Sequence, residues 1–377
     1  MDSEINGTIH QWLDSTFLVV NESYQVDIRR ILSTDSYELM HVLCDFYMYD
    51  HTALFLHLIG LTSHYLTATS FIYADNQLRH KLNMHLLLIA RQGYERSTLV
   101  EHVKQSMNNV QSIRQTGKQF DSRHHPNSNV FCQSDDLTSL SHGYCLSDQF
   151  DEHVTSTHLQ KQQTSSILGI SNGDFIHQLL EKKFHKKSSH LNYSSNWFMM
   201  FLNTKTQLFS RRMKIFDLNQ YPLLEHLILM INCLCSYSID FYFEQTHANQ
   251  IMCDYLDTLT LKGISLEETH PWMAGKYVAA REHVLRLSAS LAIIEIAVET
   301  LIIYRETFQT FGQADKIFFD NCIRLIEQAR GTTSIKRILI NTNIVQSAVY
   351  FLDMSLKQFE IVFEPSLTSG SPTHEYE

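Results

Sequence analysis

The stretch HLLLIARQGYERSTLVEHV, His85–Val103, decides the fold. Together with Asn83 and Met84 its first half is a short continuous apolar run, too short for a full helix and closed by a polar loop, which reads as a buried strand. From Ser97 onward the pattern changes. Leu99, Val100, Val103 and Met107 fall on one face of a helix. Strand, tight loop and helix together form the unit from which parallel α/β sheets are built.

The loop raises a chemical question. Phosphate-binding loops have the pattern GxxxxGK[ST]: glycines let backbone N–H groups converge on phosphate, the lysine reaches the terminal phosphates, and the hydroxyl coordinates Mg²⁺. In the frame ARQGYERS, Ala90 takes the first glycine's place, Glu95 the second's and Arg96 the lysine's, and only Ser97 fits. Alone, so short a match favours an ordinary turn. The order of the downstream segments strengthens it. In GYCLSDQFDE an apolar segment runs directly into Asp148, an acid placed to serve Mg²⁺, and SSILGIS (165–171) is a further short strand with polar ends. Short strands alternating with helices imply a parallel sheet.

Around this unit the chain reads as helical. Residues 36–71 carry apolar positions at helical spacing, 220–244 and 276–329 read as long helices, and 342–363 as one more. Only 12 Gly and 5 Pro in 377 residues agree with that. The stretch His51–Ala74 has no Asp, Glu, Lys or Arg and is long enough to span a bilayer, but two internal His and six Ser/Thr favour a buried helix, so no membrane span is expected. The segments 108–142 and 181–195 are polar and read as loops or insertions, and the tail 364–377 as disordered.

A net charge of −10 argues against a dominant electrostatic grip on nucleic acid, although the basic run EKKFHKK leaves room for a local patch. Seven scattered cysteines form no CxxC pair or zinc-type cluster, and the N-terminus lacks a signal-peptide core. An intracellular protein, cytoplasmic or nuclear, is expected. The pair His124-His125 reads as solvated rather than as metal ligands. Arg286 reads as a salt-bridge partner of Glu282 as readily as a substrate contact. Trp272 and Tyr277 read as core before they read as a stacking surface.

Taken in order, the helices of 36–71, NMHLLLIARQGYERSTLVEHVKQSM, YCLSDQFDE, SSILGISNGDFIHQLL, NWFMMFLN, KYVAAREHVLRLSASLAIIE and NTNIVQSAVYFLDMSLKQF resemble a divergent member of a family of P-loop ATPase-like proteins. Members of that family lie beside or fused to primases and helicases in mobile elements. The resemblance implies a P-loop NTPase-like α/β domain over 35–215 after an N-terminal segment (1–34), followed by an all-α domain over 216–363. It implies ATP and Mg²⁺ as ligands and a nucleic acid or replication-type protein as partner. Gly93 falls on the loop's internal glycine, Arg96 on the lysine, Ser97 and Thr98 on the hydroxyl pair, and Asp148, with Ser97, on the Mg²⁺ side.

The departures from the family pattern are chemical. Glu95 brings negative charge to the would-be phosphates, and Arg96 is a bulky substitute for lysine. Gln149 stands where an acid commonly orients the attacking water and cannot act as a carboxylate base. Met200 stands where an arginine would neutralise phosphate charge. The expectation is a catalytically impaired ATPase-like protein with no catalytic residue assigned and residual nucleotide or nucleic-acid binding. The alternative is a non-enzymatic scaffold that binds a protein through its helical half.

Overall fold

A computed structural model describes residues 15–20, 22–66, 69–73, 76–78, 82, 84–90, 97–116, 144–147, 166–171, 197–202, 216–217, 219–244 and 247–363. Gly93, Arg96, Asp148, Gln149, His124-His125 and the polar stretch 181–195 lie outside the described residues. The expected strand is present as β3 (His85–Ile89), and α3 begins at Ser97 (Ser97–Thr116). β3 is an inner strand of a wholly parallel sheet with β4 (Tyr144–Ser147), β5 (Ser166–Ser171) and β6 (Trp197–Phe201), in the order β4-β5-β3-β6. Leu86 to Ile89 are all buried, as an inner parallel strand covered on both faces requires. Helix α2 (His51–Tyr65) lies against β3 and β5, and every residue from Ala53 to Ser63 is buried. That burial accounts for its lack of charge.

β6 is an edge strand, yet all five of its side chains are buried. Its free edge is closed by side chains instead of a further strand. Lys276 donates to the Trp197 carbonyl and Ser355 Oγ to the Met199 carbonyl (2.7 Å), while Gln358 Oε1 accepts the Phe201 N–H (3.0 Å). The groups met are at 197, 199 and 201, the alternate residues whose backbone polar groups point away from β3. Lys276 comes from α6 (Pro271–Phe308), and Ser355 and Gln358 come from α8 (Thr342–Phe363). Three side chains thus satisfy buried backbone groups that would each otherwise cost about 1–3 kcal/mol.

A second sheet has the order β2-β1-β7-β8, with β1 (Thr69–Tyr73), β7 (Ser238–Phe243) and β8 (Ile335–Ile340) parallel and β2 (Asn76–Leu78) antiparallel to β1. The structure differs here from the helical reading. Within 220–244 the helix α4 spans only Leu224–Leu234 and gives way to β7. The segment 216–363 therefore supplies two strands to a sheet whose first strand precedes residue 80. The apolar run after residue 51 is likewise split, with α2 ending at Tyr65 before β1 begins. Within 108–142, the residues up to Thr116 continue α3 rather than a loop.

The remaining helices are α1 (Thr34–Tyr47), α5 (Ala248–Leu266) and α7 (Lys316–Arg330). Pro271 opens α6 at a position where its missing N–H costs nothing. At 38 residues, α6 runs for about 57 Å, packing against α1, α2, α4, α5, α7 and α8. It is the one described helix long and apolar enough to cross a membrane, and 72% of its most apolar window is buried inside the fold. Core burial explains that composition. Helices on both sides of residue 216 share one apolar cluster. Trp272 and Tyr277 belong to it, and Trp272 meets Phe363 edge-on at 4.9 Å.

Candidate functional site

The chain leaves β3 for β4, two places toward one edge, steps back one place to β5, and then crosses β3 to form β6 at the other edge. Adjacent strands β3 and β5 thus send the chain in opposite directions. In open parallel sheets, ligands bind outside the carboxyl ends of the strands at such a reversal. Ile89 pairs with Ser171 there, and α3 starts seven residues beyond Ala90, at Ser97. The first-turn amides of a helix have no intrahelical acceptor and carry the positive end of its dipole, so α3 offers the carboxyl edge an anion-favouring terminus.

The expected site residues divide accordingly. Thr98 is exposed on the first turn of α3, and Ser97 is the helix's first residue. Asp148 lies outside the described residues; β4, which ends at Ser147, is two places from β3, or about 10 Å away. Ala90, at the first-glycine position, is fully buried. Met200 lies beside Leu88 in the β3–β6 register, also fully buried, so this point of the sheet is apolar where the family pattern would place an arginine. Arg286 pairs with Glu282 one helical turn away, the structural reading of that arginine.

One turn beyond Thr98, on the same side of α3, lies a polar relay that the sequence does not announce. His102 Nδ1 is 2.9 Å from the Tyr49 hydroxyl, and His102 Nε2 is 2.9 Å from Glu225 Oε1. With the tyrosine donating to Nδ1, Nε2–H donates to the carboxylate. Tyr47 meets the imidazole edge-on at 4.5 Å. Burial is the largest influence on the Glu225 carboxyl and would raise it, but the hydrogen bond from His102, a backbone hydrogen bond and the charges of His102 and His226 together outweigh it and the net direction is down. Burial, and then the same carboxylate, push the Tyr47 phenol up. The order carboxylate, imidazole, hydroxyl is that of a proton relay, but Tyr49 is buried and touches no open cavity among those described. The relay therefore acts as a clamp, tying the first turns of α3 to the α1–α2 corner and to α4.

Among the described residues no group of three His, Cys, Asp or Glu side chains is arranged to hold a metal ion. Cys44, Cys233, Cys235, Cys253 and Cys322 are free thiols. In comparison with known proteins, no family model and no curated sequence matches the chain.

Proposed function

We propose that the carboxyl edge of the β4-β5-β3-β6 sheet is a nucleotide-phosphate site of P-loop NTPase-like ancestry that binds without efficient hydrolysis. The observation that carries this reading is the topology. A buried inner strand at the reversal of a parallel sheet is followed, seven residues beyond Ala90, by a helix whose first residues are Ser97 and Thr98. The N-terminus of α3 fits a phosphate, and Ser97 with Asp148 would hold Mg²⁺. Gly93, Arg96 and Thr98 would line the phosphate side. When bound, the ion would supply charge neutralisation at the phosphates. The chain's own residues do the rest: α3 presents its amides, and the His102 relay fixes the helix that carries them.

The apolar, buried Met200 and the Gln149 and Glu95 substitutions remove charge neutralisation and the base that hydrolysis needs. In this reading the protein is a pseudo-ATPase of the helicase- and primase-associated kind, acting inside the cell with a nucleic acid or a replication-type protein as partner. The test is a pair of measurements on purified protein. Mg·ATP raises the melting temperature of the wild type but not of Arg96→Ala, and phosphate release stays at background. Magnesium-dependent hydrolysis abolished by Asp148→Ala would overturn the loss of catalysis. A second reading, a scaffold that binds protein through its helical half, is favoured by the open groove along α6.

A further inference from the structure

Most faces of α6 are buried, but its C-terminal half opens to solvent along one stripe. Glu299, Ile303 and Glu306 are exposed there, and Glu295 and Ile302 are half-buried. Opposite them stand Asp35 at the start of α1, and Leu339 and Ile344 at the junction of β8 with α8. The space between is a cavity of about 610 Å³. A second cavity of about 560 Å³ shares Ser33, Glu295, Asn341 and Ile344 with it, so the two form one groove. From Leu291 to Glu306 the groove tracks α6 for about 22 Å, the length of four helical turns.

The floor of the groove is apolar. Ile303 is 38% exposed and Leu339 43%. On the open face of the β1-β7-β8 sheet, Leu339 is the register partner of Tyr242, which is 37% exposed. Parallel sheets are as a rule covered on both faces, most often by helices, so this face and the groove beside it are a surface built to be covered.

The rim gives the charge of what covers it. Asp35, Glu299 and Glu306 form no hydrogen bond or ion pair with another described residue, whereas Glu295 is committed to Ser33 and Ser36 of α1. The one cation lining the larger cavity is Arg330. At the far end, Arg30 is turned onto the Tyr350 ring at 4.1 Å. The groove is thus acidic along its middle and apolar at its base.

We propose that this groove docks an amphipathic helix of a partner protein, with an apolar stripe on Ile303 and Leu339 and Lys or Arg side chains on Asp35, Glu299 and Glu306. The proposal is independent of the nucleotide reading. It is tested by fluorescence anisotropy of the full chain with a labelled four-turn Leu/Lys amphipathic peptide, and with the same peptide carrying Glu in place of Lys. The Lys peptide binds and the Glu peptide does not. Glu299→Lys/Glu306→Lys and, separately, Ile303→Asp each weaken binding by at least about tenfold. Glu267→Lys/Glu268→Lys, the same charge change at exposed residues just beyond α5, alters it less than about twofold. All of these positions are exposed, and unchanged melting temperatures confirm folding. Equal weakening by both charge reversals, equal binding of the two peptides, or binding indifferent to the groove variants would overturn the proposal. So would a groove variant that instead dissociates a dimer of this chain.

Discussion

Replacing Lys276 by methionine tests the most unusual packing decision in the fold. Lys276 is fully buried, donates to the Trp197 carbonyl at the edge of β6, and lies 4.8 Å from the centroid of the Phe359 ring. No carboxylate among the described residues faces it, and burial pulls its ammonium down to about 7. Against an unfolded-state value of about 10.5, the folded protein binds fewer protons than the unfolded chain between these two values. That difference sets the sign. The charge-burial penalty, on the order of 5 kcal/mol, is fully present below about pH 7 and is relieved as pH rises toward 10.5. Lys276→Met removes that penalty but strands the Trp197 carbonyl, at a cost of about 1–3 kcal/mol. The variant should therefore be the more stable protein at about pH 6 and should lose about 3 kcal/mol of that advantage by about pH 9.5. Urea unfolding monitored by tryptophan fluorescence measures both. A stability difference that does not change with pH would refute the reasoning, whatever its size, because packing terms do not titrate.

Three other outcomes rest on buried polar groups. His283, one helical face along from Lys276, has neither ring nitrogen hydrogen-bonded, so His283→Met should raise stability by about 1–3 kcal/mol in the same denaturation assay. His57 and His226 are held to about 4 chiefly by burial. Their folded values lie below the ordinary 6.5, so stability should fall as pH drops from about 6.5 to about 4, by up to about 3 kcal/mol for each. The half-buried Asp50 carboxyl, raised by desolvation to about 6, opposes them and leaves a smaller net acid loss, readable as a falling melting temperature. Finally, His102→Leu should remove the hydrogen bonds to Tyr49 and Glu225, costing about 2–4 kcal/mol and increasing hydrogen exchange along α3 in its first turns.

The parallel sheet around β3 is readable in the sequence because its strands appear as short apolar runs, which in β3 and β6 are buried on both faces. HLLLI, YCLS and SILGIS can each be picked out in that way. The second sheet is hidden for the converse reason. SIDFYF alternates, with Ile239, Phe241 and Phe243 inward, but it adjoins a fully apolar helix, and helix and strand merge into one hydrophobic stretch. β1 is likewise absorbed into the charge-free run that begins with α2. The polar residues after Asn108 resemble a loop because α3 shows only its Val110 side to the core. At the site, Ser97, Thr98 and their strand-loop-helix setting are legible, being local. Tyr49, His102 and Glu225 are not, since 53 and 123 residues separate the partners and only the fold brings them within hydrogen-bonding distance. The edge clamp on β6 is invisible for the same reason, with Lys276, Ser355 and Gln358 lying more than 75 residues from the strand they satisfy.

Hydrogen exchange at the first-turn amides of α3, Ser97 to Val100, bears most directly on the phosphate edge. These amides lack intrahelical acceptors, and an anion at the helix terminus slows their exchange. Saturating Mg·ATP should slow them in the wild type and leave them unchanged in Arg96→Ala, with no release of phosphate. First-turn amides that exchange at the same rate with and without nucleotide would contradict a nucleotide site at the end of β3.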